Sequence, residues 1–166
     1  MRNKQIKNIA LGGILAGVAV VIMCLGSLIP FATYVCPVLC ILTGNIYLSF
    51  SGARMGWVWY FVVSILSLLL APDREAAVVY AFLGVYPYMK GFLDRYSLRW
   101  IWKLLYFNIA TMVSCWVSVN IMGLSEIVVE FRELGTIGLA LILVLANTTF
   151  VLLDHLLSCF KIKKIN

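Results

Sequence analysis

Polar and apolar positions do not alternate along this chain; they fall into blocks. Long apolar runs occupy Asn8–Ile29, Tyr34–Phe50, Met55–Leu70, Glu75–Leu93, Trp100–Ile121 and Thr136–Phe160, with short polar or turn-forming segments between them. A helix needs ~20 residues to cross the hydrocarbon core of a bilayer, with ~17 as the lower limit. Each run is close to that length. A transmembrane β-barrel would instead show alternating segments of ~10 residues. Backbone groups in lipid have to be satisfied within the segment, so the runs are predicted to be helices. The expected fold is an all-α membrane protein, with six transmembrane helices in one compact bundle and residues 1–166 forming a single domain.

The connectors sharpen this reading. Ala71-Pro72-Asp73-Arg74-Glu75 is the tightest polar knot between two runs. Pro72 lacks an N–H and its ring clashes with the preceding turn, so it ends a helix. Asp73 is placed to cap the next helix, and Glu75 suits its positive end. Ser51-Gly52-Ala53-Arg54 is a second tight turn. Pro37 is expected in the first turn of the second span, and Pro87 is expected to kink the fourth. Trp57, Trp59 and Tyr60, and later Trp100 and Trp102, suit an interfacial aromatic belt. Glu126–Leu134 reads as a short amphipathic helix, with Glu126, Glu130 and Glu133 on one face and Ile127, Phe131 and Leu134 on the other. The first run follows Arg2, Lys4 and Lys7, as a secretory signal does. It is longer than a usual signal core and no small-x-small cleavage site follows it, so it is expected to be a retained helix.

Charge then orients the bundle. Six alternating spans place both termini, Arg54 and the Lys90–Lys103 loop on one side, with 11 basic residues there against Arg74 and Arg132 on the other. Basic residues mark the cytoplasmic side, so both termini are expected in the cytoplasm. Five of the seven acids fall on the outer side. The net charge of +6 sits at segment ends. That is membrane orientation and not a nucleic-acid face, and no nucleic-acid partner is expected. A mean hydropathy of +1.02 excludes an ordinary soluble domain. The expected location is a cell membrane, multi-pass, of the bacterial inner or plasma type, with membrane lipid as the surrounding partner.

Enzyme signatures are missing. There is no G-x-x-x-x-G-K-[ST] loop, so the chain is not itself an ATPase of that class, and His155 is the only histidine. No charged residue lies at the centre of a span, which argues against a proton relay through the bilayer. The five cysteines read as small hydrophobes, with no readable disulfide framework. No metal, cofactor or catalytic residue is predicted. Asp154 stands unfavourably near a helix C-terminus and should pair with a base such as Arg54 or Lys103; this contact is either a static ion pair or a coupling contact.

Two constellations could carry function. Gly12, Gly13, Ala16 and Gly17 form two small-xxx-small pairs on the first helix, which permit close helix approach. They serve either internal packing or docking of another subunit. On the fifth span Asn108, Thr111, Cys115 and Ser118 recur on one helical face. They are either interhelical glue or the lining of a pocket. The outer halves of the spans bring together Arg74, Glu75, Tyr80, Trp116, Asn120 and, at mid-depth, Asn147. Aromatic surface with a few hydrogen-bonding groups is the content of a small-ligand site, so these six are predicted to line one outward-facing cavity.

This layout resembles the S components of energy-coupling-factor vitamin transporters. Those are small six-helix membrane proteins with cytoplasmic termini, whose first helix carries a small-residue A-x-x-x-A docking motif. Gly12/Ala16 and Gly13/Gly17 occupy that place here, though the alanine motif itself is absent. The resemblance implies a small-molecule substrate such as a vitamin, bound near the outer face. It also implies a membrane coupling subunit docked on Gly12, Gly13, Ala16 and Gly17, and energy from separate ATPases. The alternative is a multi-span scaffold or assembly protein that acts through helix–helix contacts.

Overall fold

The computed structural model describes residues 2–26, 32–95, 99–121, 123 and 126–159. Lys161, Lys163 and Lys164 lie outside them, as do the side chains of Arg2, Lys4, Arg99, Arg132, Glu126, Glu130 and Glu133. The helices are α1 (Arg2–Gly26), α2 (Ala32–Ser51), α3 (Ala53–Leu70), α4 (Arg74–Leu83), α5 (Tyr86–Leu93), α6 (Arg99–Asn120) and α7 (Glu126–Cys159), with no strand among the described residues. Five segments are long and apolar enough to cross a membrane: Ile6–Gly26, Thr33–Ser51, Ala53–Leu70, Arg74–Leu93 and Ala140–Cys159. α6 is long enough at 22 residues, but its lysine, amides and hydroxyls make it less apolar.

Hydrogen bonds fix how the helices run. Tyr47 donates to Asn8 O at 3.3 Å and Cys40 donates to Ala19 O at 3.3 Å, so α1 and α2 are antiparallel. Trp59 Nε1 donates to Gly12 O at 3.0 Å and Cys24 Sγ donates to Leu70 O at 3.7 Å, so α1 and α3 run parallel. Gly52 joins α2 to α3 with φ 85°, a left-handed conformation that glycine adopts without a Cβ penalty. One end of the bundle carries this turn and the α5–α6 connection; the other carries the α3–α4 turn. At the latter, Asp73 is the N-cap and accepts from Ala76 N at 3.1 Å, as its position after Pro72 predicts.

The hydrogen-bond ladder of the fourth apolar run is interrupted upstream of Pro87. α4 stops at Leu83 and α5 starts at Tyr86, with Pro87 in its first turn. The backbone stays αR at Gly84 and Val85, so the interruption lies in the hydrogen-bond ladder: Pro87 has no N–H for Leu83 O, and its ring crowds that carbonyl. The carbonyls of Ala81 and Phe82, which a continuous helix would satisfy from within, accept instead from the hydroxyls of Tyr60 and, at 2.9 Å, Tyr106. Pro37 also departs from expectation. α2 begins at Ala32, two residues early, and this places Pro37 inside the helix beyond its first turn. Within α7, Gly135 is non-helical (φ 62°, ψ −176°), so the segment from Glu126 and the apolar run after Gly135 are two helical pieces.

The core runs through the bundle, around Met23, Ile41, Val63, Tyr80 and Tyr86, with Phe107 of α6 and Phe150, Leu153 and Leu157 of α7 also in it. The predicted aromatic belt on α3 is partly wrong. Trp59 and Tyr60 are buried in this core, Trp59 against Tyr47 at 5.8 Å between ring centroids. Their indole N–H and phenol O–H find backbone carbonyls, which is what a polar tip needs once buried. Trp100 and Trp102 remain exposed on α6. Leu69, Met112, Leu143, Val144 and Leu145 stand on the outside of the bundle. So much uncovered apolar surface suits lipid tails and not water.

Candidate functional site

Four helices that face one another leave a gap between them. The gap is a cavity of about 450 Å³. Its walls follow helical spacing: Tyr34, Pro37, Val38 and Ile41 on α2; Glu75, Val79 and Leu83 on α4; Phe107, Thr111, Ser114, Cys115 and Ser118 on α6; and Ile142, Ala146, Thr149, Phe150 and Leu153 on α7. Residues three or four apart share a helix face, so each helix contributes one stripe. Phe107 and Phe150 stack at 4.5 Å with 20° between their planes and form an aromatic floor. At the α3–α4 end Tyr34 Oη donates to Glu75 Oε1 at 2.8 Å. The volume lies within the range of ligand cavities, ~300–1,000 Å³.

The six residues predicted to line one cavity do not do so together. Glu75 borders it. Tyr80 is 1% exposed and points into the α2–α3–α4 core, 6.1 Å from the Tyr60 ring. Trp116 is 59% exposed, on the outside of α6. Asn120 is exposed and donates to Trp116 O at 3.0 Å on its own helix. Arg74 is exposed at the turn and is not part of the wall. Asn147 pairs with Asn108: Asn108 Nδ2 donates to Asn147 Oδ1 at 3.1 Å, and Asn147 Nδ2 to Asn108 Oδ1 at 3.4 Å. The error was one of rotation. The side of each helix that turns toward the cavity was not read from the sequence. The fifth-span face did carry that information, since Thr111, Cys115 and Ser118 line the cavity while Asn108 forms the amide pair.

The two small-residue pairs on α1 separate into different environments. Gly12 is buried, and a Cβ there would lie 2.7 Å from Tyr47 Oη; Ala16 and Ala19 continue this inner face. Gly13 and Gly17 are exposed, and a Cβ at either would meet nothing within 4 Å. Gly12/Ala16 therefore packs α1 against the bundle, and Gly13/Gly17 lies on its outer surface.

A second constellation sits toward the α5–α6 end. Asp154 is the hub. Lys90 Nζ lies 2.6 Å from Asp154 Oδ1, and Lys103 Nζ lies 3.1 Å from Oδ2. Tyr86 Oη donates to Oδ1 at 2.5 Å. Lys90 also donates to Asp154 O at 2.6 Å and to Ser158 Oγ at 2.7 Å, and Lys103 pairs with Asp94 at 2.6 Å. Pairing of Asp154 with Lys103 follows the sequence expectation; Arg54 is not its partner among the described contacts, and Lys90 is an addition. Lys90 escaped notice because it was counted as a loop charge, whereas α5 carries it inward one turn before its end. A cavity of about 610 Å³ lies beside this network, bordered by Trp100, Thr148, Val151 and His155. The network's donors and acceptors already meet one another, so it serves as a lock between α5, α6 and α7.

Comparison with family models, with curated proteins and with solved structures finds no match to this chain.

Proposed function

We propose that this chain is the substrate-binding membrane subunit of an uptake transporter for a small molecule, organised like the S components of energy-coupling-factor transporters. The observation that carries the reading is the four-helix cavity, mostly apolar, with hydroxyls along α6 and a carboxylate at one end. In this reading α6 is the fifth of six spans. Both termini are cytoplasmic, and the Pro72–Glu75 turn faces outward, so the cavity opens near the outer side. Separate ATPases supply the energy, and the exposed Gly13/Gly17 strip of α1 meets the membrane coupling subunit.

The test is a ligand screen by thermal shift on detergent-purified protein, run beside Ala146→Phe. Ala146 borders the cavity, and a phenyl ring there fills it. A ligand that stabilises the parent protein and not the variant supports the reading. Stabilisation retained by the variant places binding elsewhere. If no small molecule binds and membrane proteins still co-purify, the scaffold alternative takes its place.

A further inference from the structure

The cavity of about 610 Å³ beside the charge network is a groove on the outside of the bundle. Trp100 of α6 and Thr148, Val151, Leu152 and His155 of α7 border it, and all five are exposed. It follows α7 from Thr148 to Ser158, about 15 Å at the helical rise of ~1.5 Å per residue. That is half of a ~30 Å hydrocarbon core. It is also the half of the span Ala140–Cys159 nearer the α5–α6 end. Polarity rises along it. At the deep end Thr148 donates to Val144 O at 2.8 Å, so Val151 and Leu152 set the character of the surface. At the other end stand Asp94, Trp100 and His155. Lys103 and Asp154 border the groove too, but they are buried and hold each other at 3.1 Å. The Asp94 side chain is 32% exposed, and its Oδ1 lies 2.6 Å from Lys103. A carboxylate accepts up to about four hydrogen bonds, so Asp94 takes further donors. Trp100 lies beside Lys103, 5.7 Å from Nζ to the ring centroid, and neither Trp100 nor His155 has a hydrogen-bond partner among the described residues.

We infer that this groove is a phospholipid site of the leaflet at the α5–α6 end, selective for a head group that carries a primary ammonium, as in phosphatidylethanolamine. One acyl chain lies along Val151 and Leu152 and reaches to Thr148, the depth of one leaflet. The ammonium donates to Asp94, and the phosphodiester accepts from the N–H groups of Trp100 and His155. This end of the groove offers a carboxylate acceptor beside two N–H donors, which matches a zwitterion. A glycerol head group brings no cation for Asp94, and a choline has no N–H to donate. The site is separate from the four-helix cavity and does not depend on what that cavity binds.

The test places the delipidated full chain in detergent micelles with equal amounts of dioleoyl phosphatidylethanolamine, phosphatidylcholine and phosphatidylglycerol, and native mass spectrometry counts what stays bound. The ethanolamine lipid should be retained at least ~10-fold over either of the others, the lower bound for a hydrogen bond to a charged group. Asp94→Asn should remove that preference. Thr148→Trp, which fills the groove from an exposed position, should lower retention of all three. Ethanolamine lipids with one and two N-methyl groups repeat the test on the parent protein, so it does not hang on the folding of a variant: retention should fall with each N–H replaced. Equal retention of the three lipids, or a lead for the glycerol lipid, overturns the ethanolamine assignment. Retention unchanged by Thr148→Trp, or no lipid retained at all, overturns the groove as a lipid site. So does O-phosphoethanolamine, the head group without chains, if it raises the unfolding temperature as much as the whole lipid.

Discussion

Replacing Asp154 by asparagine tests the charge lock most directly. Asp154 is 5% exposed, and Lys90 and Lys103 are 8% and 4% exposed. The substitution keeps the shape and removes the charge. Lys103 keeps Asp94 at 2.6 Å, but Lys90 keeps only neutral acceptors, the Asp154 carbonyl and Ser158 Oγ. Breaking a buried pair by removing one partner costs ~3–5 kcal/mol. Folded domains are stable by only ~5–15 kcal/mol, so the loss should be a large part of the whole. Lys103→Met should cost less, because Asp154 retains Lys90 and Tyr86 while Asp94 is partly exposed at 32% of its side chain. The triple variant Tyr86→Phe/Lys90→Met/Asp154→Leu, which also removes the hydroxyl that Asp154 accepts and leaves Lys103 its Asp94 partner, should recover much of the loss, since a buried pair exchanged for apolar groups is often neutral or better. Thermal unfolding of the three variants in one detergent measures the order. Parent-like unfolding of Asp154→Asn, or a triple variant worse than that single, would refute the reasoning.

Other outcomes follow from the same geometry. Gly12→Leu should prevent folding, because its first side-chain atom already collides with Tyr47, whereas Gly13→Leu should fold and lose any partner held by α1; size-exclusion chromatography and co-purification separate the two. Asn108→Ala and Asn147→Ala should each cost ~1–2 kcal/mol or less, and the double variant little more than either single, since the amides bond each other; a double-mutant cycle checks this. Single cysteines at the exposed positions 54 and 74, in a background without other cysteines, should react with an impermeant reagent from opposite sides, with 74 labelled from outside.

The elements were legible because hydrophobic blocks and turn chemistry act locally. Pro72, Asp73 and Gly52 mark their boundaries through backbone geometry alone, and the bundle obeys them. The α4–α5 break was half legible, since Pro87 signals a defect but its exact place depends on what can satisfy the freed carbonyls. The site was not legible in the same way. In lipid, outer and inner faces are equally apolar, so hydrophobic periodicity does not say which side of a helix turns inward. Trp116 and Tyr80 look alike in sequence, yet one faces out and the other is buried. Polar periodicity on α6 was the better guide, because hydroxyls avoid lipid where apolar groups are indifferent.

The stitched break between α4 and α5 also sets limits on how this sequence can drift. Tyrosine and phenylalanine are usually near-equivalents inside a bundle, but not at positions 60 and 106. There the hydroxyls cap Ala81 and Phe82 carbonyls that have no water to turn to. The requirement comes from Pro87, more than 15 residues away from either tyrosine in the chain. A lineage that regained a continuous helix at position 87 would release both tyrosines at once. Variation at 60, 87 and 106 should therefore be correlated, a three-way dependence written by one ring.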